Sequence, residues 1–232
     1  MDFSFGQTAG ASQSTAKPKL EGNMIHTVKL DKCEIQDIDG VKKPGTVYKV
    51  LKINFSNEDG AYEHTVFEPR PDVDFERTET EYTDKTGKKN KIPQPSGIET
   101  MMLFFKHVID GYLPELGKEI DSETKNLGAP TWDALRNLMI QIFDKAKGRE
   151  NKIKLMKDKN GEGRFPGFFT AINRDGAAYV RNNFIGNKIA FTPYELQKIQ
   201  AETNAKPTNM NDLDLTSTDT DKVDLNFDIG DL

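Results

Sequence analysis

The stretch Val47-Tyr48-Lys49-Val50-Leu51-Lys52-Ile53-Asn54-Phe55 sets Leu51, Ile53 and Phe55 on one side of an extended chain and Lys52 and Asn54 on the other. That is the period-two pattern of a half-buried strand. Asp59-Gly60 supplies turn chemistry, and Ala61 to Phe67 pairs back as the next strand. Upstream, Met24 to Asp37 also alternates, through Val28 and Leu30 and then Cys33 and Ile35. The change of parity between Leu30 and Cys33 predicts a bulge within one long strand. Asp39-Gly40 and Pro44-Gly45 turn the chain between these two strands. Together the three form an antiparallel meander.

Downstream, residues 69–95 interrupt the pattern with Pro69, Pro71 and Pro93 and a basic cluster, Lys85, Lys88, Lys89 and Lys91, around Gly87. This reads as a long loop or an extended hairpin, and a loop of that length is more often functional or disordered than idle. Ser96-Gly97-Ile98-Glu99 has capping-box spacing and opens an apolar stretch to Leu113. A second helix starts near Thr131-Trp132-Asp133, carries Leu135, Leu138, Met139, Ile142 and Phe143 at helical spacing, and stops at Gly148. Strand patterning returns at Lys152, turns at Asp158-Lys159-Asn160-Gly161, resumes from Arg164 to Ile172 and again from Ala178 to Ile185. Thr192-Pro193-Tyr194-Glu195 caps a short last helix with proline at its first position.

The fold class is therefore mainly β with an α insertion. It reads as an OB-fold-like five-stranded antiparallel barrel, with a two-helix insertion (96–148) between strands 3 and 4 and a short C-terminal helix. Another small β-barrel, or an α+β sheet with the same strand order, fits the pattern as well. Residues 1–22 read as a flexible arm, 23–202 as one body, and 203–232 as linker and tail.

Charge divides the chain. Residues 211–232 hold seven acids and one base, a net of −6, whereas the 232-residue whole carries −5. The body is thus close to neutral and the end is acidic. A single cysteine, Cys33, excludes an internal disulfide and thiolate zinc clusters. No apolar run approaches the roughly 18 residues of a membrane span. The N-terminal residues Met1 to Gly6 lack the basic and apolar regions of a secretory signal. The expectation is a soluble cytoplasmic protein without membrane contact.

Catalysis has little support. His26, His64 and His107 show no metal-ligand spacing, and there is no phosphate-binding Gly-Lys loop, nucleophile elbow or dinucleotide fingerprint. Asp72 and Asp74 could hold a divalent ion as a nuclease would, but beside Pro71 they read better as solvated charge. No enzyme, cofactor or metal is expected. Single-strand nucleic-acid binding has more support, because it needs cations for phosphates and aromatic faces for bases. Two regions interleave these: Tyr82 with Lys85, Lys88, Lys89 and Lys91; and Lys152, Lys154, Lys157, Arg164, Phe165, Phe168, Arg174, Tyr179 and Arg181. In the second, alternation with Ile153 and Leu155 puts Lys152 and Lys154 on the face opposite the core. Lysines on an outward strand face are more often plain solvated surface, and phenylalanines more often core; the clustering of the two kinds is what favours DNA.

The chain ends Asp224-Leu225-Asn226-Phe227-Asp228-Ile229-Gly230-Asp231-Leu232, acids alternating with large apolar groups as in a short linear docking motif. A barrel-like strand order, a polar linker and this tip together resemble the single-stranded DNA-binding proteins of tailed bacteriophages. The tip is also similar to that of bacterial single-stranded DNA-binding proteins, although theirs ends in proline and phenylalanine. The resemblance implies that the barrel coats single strands during phage DNA replication and recombination in the bacterial cytoplasm. It implies too that Asp224, Phe227, Asp228, Ile229, Asp231 and Leu232 recruit replication and recombination proteins and compete with DNA. The rival reading is a β-barrel protein-interaction adaptor that touches no nucleic acid.

Overall fold

The structure, a computed structural model, describes residues 17–40, 44–83, 86–122, 127–172, 178–181 and 184–204, with the backbone alone at 169, 171, 172, 178–181 and 204. The meander is present as β1 (Met24–Asp39), β2 (Val47–Ser56) and β3 (Ala61–Val66). In β1 the register against β2 shifts between Leu30 and Lys32, where the parity change placed the bulge. The bulge keeps Leu30 and Cys33 on one face although they are an odd number of residues apart.

Residues 69–95 take the hairpin alternative, β4 (Glu79–Thr83) against β5 (Lys89–Pro93). The helical region differs from the expectation of two helices. α1 (Gly97–Tyr112) begins in a reciprocal capping box between Ser96 and Glu99. Pro114 then starts a separate helix, α2 (Pro114–Asp121), after Leu113. Proline lacks the N–H that would continue α1, but its fixed φ suits a first helical position, so one apolar stretch becomes two helices. α3 (Trp132–Asp144) is capped by Thr131, whose hydroxyl accepts the Ala134 N–H.

β6 (Glu150–Lys157) returns to pair with β1, from Met24 opposite Leu155 to Lys29 opposite Glu150. Three hairpin-linked strands and a fourth lying beside the first make a Greek key. The expected strand from Arg164 to Ile172 is split. β7 (Gly163–Arg164) adds two residues to the sheet, whereas β8 (Phe169–Ile172) pairs with β9 (Ala178–Arg181) in a separate ribbon. Pro166, which has no N–H to give a ladder, falls between β7 and β8. The result is a curled five-stranded antiparallel sheet, β3-β2-β1-β6-β7, a half-barrel.

Residues 18–22 stand between its two edges. Ala61 donates its N–H to Pro18 O at 2.8 Å and accepts the Leu20 N–H at 3.0 Å. On the other side Gly163 approaches so closely that a Cβ there would lie 2.8 Å from Leu20 O. Any side chain at 163 would push this segment off the β7 edge.

The core lies on the inner face of the sheet. Leu30, Leu51, Ile53, Phe55, Ile153 and Leu155 are all fully buried against Phe105, Val108 and Ile109 of α1 and Met139 and Phe143 of α3. Cys33 is buried with them, and burial pushes its thiol up to about 12, so it is an inert apolar group. The chain divides into units Met1–Phe191 and Thr192–Leu232. The second holds α4 (Pro193–Asn204), capped by a reciprocal pair of Thr192 and Glu195 bonds. Among the described residues no helix is long and apolar enough to cross a membrane.

Candidate nucleic-acid interface

The incomplete closure of the half-barrel leaves a groove along β3. Register places Tyr62 opposite Phe55, His64 opposite Ile53 and Val66 opposite Leu51, all on the core face, while Glu63 lies opposite Asn54 and Thr65 opposite Lys52 on the outer face. Backbone groups of alternate residues share a side of the strand, so Glu63 and Thr65 present theirs on the edge that Ala61 gives to residues 18–20. Along this edge runs a hollow of about 760 Å³, with Lys17, Lys19, Lys52, Tyr62, Arg164 and Phe165 among its walls. It continues into a second hollow of about 330 Å³ that shares His64, Thr65, Phe67 and Phe165 and ends at Phe168 and Phe184.

The floor is aromatic. Phe165 sits edge-on to Tyr62 at 4.8 Å and to Phe55 at 5.7 Å, with Phe184 at 4.9 Å and Phe104 at 5.6 Å. Its backbone N–H donates to Tyr62 Oη at 3.3 Å, which ties the β7 end to β3 across the opening. Burial raises the Tyr62 phenol to about 12 and lowers His64 to about 4, so both are uncharged at neutral pH. Phe67, at the far wall, is 52% exposed. An uncharged ring surface of this kind offers stacking without sequence preference.

The cations stand along the near rim, each with a partner. Lys19 meets Glu162 at 2.6 Å, Lys52 meets Glu63 at 2.6 Å, and Arg164 meets Asp158 at 2.7 Å and Glu162 at 3.7 Å. Lys17 donates to Ser56 Oγ and Asn57 O. The Lys19–Glu162 and Arg164–Glu162 pairs are well exposed, and exposed pairs contribute only ~0–1 kcal/mol. A phosphate with its own negative charge can displace such carboxylates at small cost.

Of the residues read from the sequence, the groove brings together Arg164, Phe165 and Phe168. Phe165 and Phe168 are half-buried against the core, with one side toward the groove, so they serve packing and lining together. Lys152 is exposed on the outer face of β6. Lys157 is half-buried, its stem against Gly22 and its N–H bonded to Asn23 Oδ1. Tyr82, Lys88, Lys89 and Lys91 lie on the β4–β5 hairpin, which contributes no described residue to either hollow. There β4 sets Glu81 opposite Lys91, and Glu79 reaches Lys91 at 3.2 Å, so the cluster is less basic than residues 85–91 read in isolation. Tyr179 and Arg181 stand in β9, opposite Ala171 and Phe169. Lys85, Arg174, Asp224, Phe227, Asp228, Ile229, Asp231 and Leu232 lie outside the described residues.

Lys154 corrects the expectation of an open lysine face. Strand parity does put it opposite the core, but it is 1% exposed. Phe184 O accepts the Lys154 N–H, Ile185 bridges Ile153, and the segment then folds over the strand. The ammonium donates to Ala190 O at 3.1 Å and lies 5.8 Å from the Phe191 ring. Its long stem packs beneath this segment. Lys154→Ala is therefore expected to cost about 2 kcal/mol of stability without removing a cation from the groove rim. Denaturant unfolding and oligonucleotide titration check this; lost affinity at unaltered stability would overturn it.

Sequence reading missed Lys17, Lys19, Lys52, Tyr62, His64 and Phe67. Lys17-Pro18-Lys19 is visible as a basic pair, but the pairing of Leu20 with Ala61 that fixes it has no local signature. A third hollow, of about 600 Å³, lies between the hairpin base and the helices and is lined by Pro93, Met102, Leu103, Ile120 and Leu127. Its cations Arg77 and Lys106 are held by Glu99 and by Asp110 and Asp121. Asp74, one of the two acids considered for a metal, is bonded by the Arg70 side chain and N–H, which hold its carboxyl below the usual range. Among the described residues no group of three His, Cys, Asp or Glu is placed to hold a metal.

Comparison with protein-family models, with curated proteins and with solved structures returns no match to this chain.

Proposed function

We propose that this chain binds and coats single-stranded DNA without sequence preference, in phage replication or recombination. On this reading the half-barrel is an OB-like domain, since a Greek-key sheet of five strands left partly open is the architecture of that fold. The observation that carries the reading is the groove along β3, a floor of uncharged rings edged by Lys17, Lys19, Lys52 and Arg164. Phosphates run along the cations while bases turn onto Phe67, Tyr62 and Phe165. The acidic residues 211–232 recruit partner proteins and compete with phosphate for the same cations.

Fluorescence anisotropy of a labelled single strand, titrated at low and moderate salt with a duplex as control, tests this. Tight binding to the single strand that weakens as salt rises, with little binding to the duplex, is expected because bound phosphates release counterions. Absence of binding at low salt, even after residues 212–232 are removed, would overturn it. That result would favour the adaptor reading, for which the apolar hollow beside Met102 and Leu103 is the specific support.

A further inference from the structure

Beyond the groove, on the other side of Phe67, lies a further hollow, of about 910 Å³. Three rings border it, Tyr48, Phe67 and Trp132, and the first two are 38% and 52% exposed. Its charged residues balance: Lys49, Arg70 and Arg136 against Glu68, Asp74 and Asp133. A phosphate would find no net attraction here, whereas a flat neutral ring would find three aromatic surfaces. Two donors beneath the wall also lack acceptors. Arg136 is 3% exposed; its Nη1 donates to Lys49 O at 2.9 Å and its Nη2 to Asp133, but its Nε has no partner. Trp132 Nε1 is buried without a partner too, and the guanidinium lies 5.5 Å from the Trp132 ring centroid. Buried donors without acceptors are uncommon and ask for an explanation.

We propose that this hollow is a base-binding subsite, which takes one unstacked nucleobase of the strand held in the neighbouring groove. The inference rests on the single-strand reading of that groove. Continuity supports it, because Phe67 lines all three hollows and its exposed ring stands where a strand would pass from one to the next. The base would lie among Tyr48, Phe67 and Trp132. Its carbonyl oxygens or ring nitrogens would offer acceptors to Arg136 Nε and Trp132 Nε1 once the indole shifts to admit it. A base with carbonyl oxygens, such as thymine, meets those donors.

Trp132 is the only tryptophan, so the emission of the full-length protein reports this hollow alone. Titration with fluorescein-labelled oligo(dT), followed by anisotropy, is paired with unlabelled oligo(dT) followed by tryptophan emission. The expected result is a saturable quench with the same midpoint as the anisotropy. Tyr48→Ala should move both midpoints about tenfold weaker, while Tyr48→Phe, which keeps the ring, should bind as the unaltered protein does. If anisotropy rises but emission stays constant, or if Tyr48→Ala leaves the midpoint unmoved, the subsite is refuted and the groove reading stands. If anisotropy does not rise at all, even at low salt and after residues 212–232 are removed, both are refuted.

Discussion

Lowering the pH from 7 to about 4 is expected to remove several kcal/mol of stability, through His107 and His64. This ring is 8% exposed, and its Nε2 accepts the N–H groups of Ile185 at 3.0 Å and Phe184 at 3.4 Å. A protonated Nε2 would turn its hydrogen toward two donors. Burial, with a smaller contribution from the Lys106 charge, lowers His107 to about 4. The unfolded chain therefore takes up a proton near pH 6.5 while the folded one does not until about 4. Stability is fully present above the higher value, falls through that window, and levels off below the lower one. A shift of that size corresponds to about 3 kcal/mol. His64, 4.1 Å from the Phe104 ring and also lowered to about 4 by burial, acts in the same direction. Urea unfolding at pH 7, 5.5 and 4.5 measures the slope. His107→Gln keeps an acceptor near Nε2 and does not titrate, so it should flatten the dependence. An equal pH slope in that variant and the unaltered protein would remove His107 from this role.

Replacing Lys19, Lys52 and Arg164 together by alanine is expected to weaken single-strand binding on the order of a hundredfold at low salt. The slope of log affinity against log salt should fall by about two, since each phosphate contact to a single strand contributes ~0.7. The three side chains reach the groove from the N-terminal segment, from β2 and from β7. Their present partners, Glu162, Glu63 and Asp158, are acids that a phosphate must displace. The comparison variant replaces Lys88, Lys89 and Lys91, the cluster most conspicuous in the sequence. It should change the slope less, because the hairpin gives no described wall to the groove. A larger loss from the hairpin variant than from the groove variant would move the DNA path to the hairpin.

Local features are legible in the amino-acid sequence. The capping boxes at Ser96/Glu99 and Thr192/Glu195, the bulge after Leu30 and the turn at Asp59-Gly60 all appear where the residues put them. Each depends on interactions within a few residues, so a local string contains the whole cause. The break at Pro114 is equally local, but the strong apolar pattern on its N-terminal side masks it. The choice between loop and hairpin for 69–95 is not local, since it turns on whether Glu79–Thr83 and Lys89–Pro93 find each other.

Alternation along a strand assigns each side chain to a face, and for Lys52 and Lys154 that assignment holds. Whether a face is open is a different matter. Lys154 and Lys152 share the outer face of β6, but residues 184–191 cover only the first. Likewise Lys19, Lys52 and Arg164 meet at one rim because residues 18–20 add to the edge of β3 while β7 ends beside them. Strand parity and helix caps are set by neighbours in the chain, so the amino-acid sequence alone determined the meander strands with their faces, the helix caps and the acidic character of residues 211–232. Covering a face and gathering charges require segments far apart in sequence to touch, so only the tertiary structure decided which cations and rings share a groove.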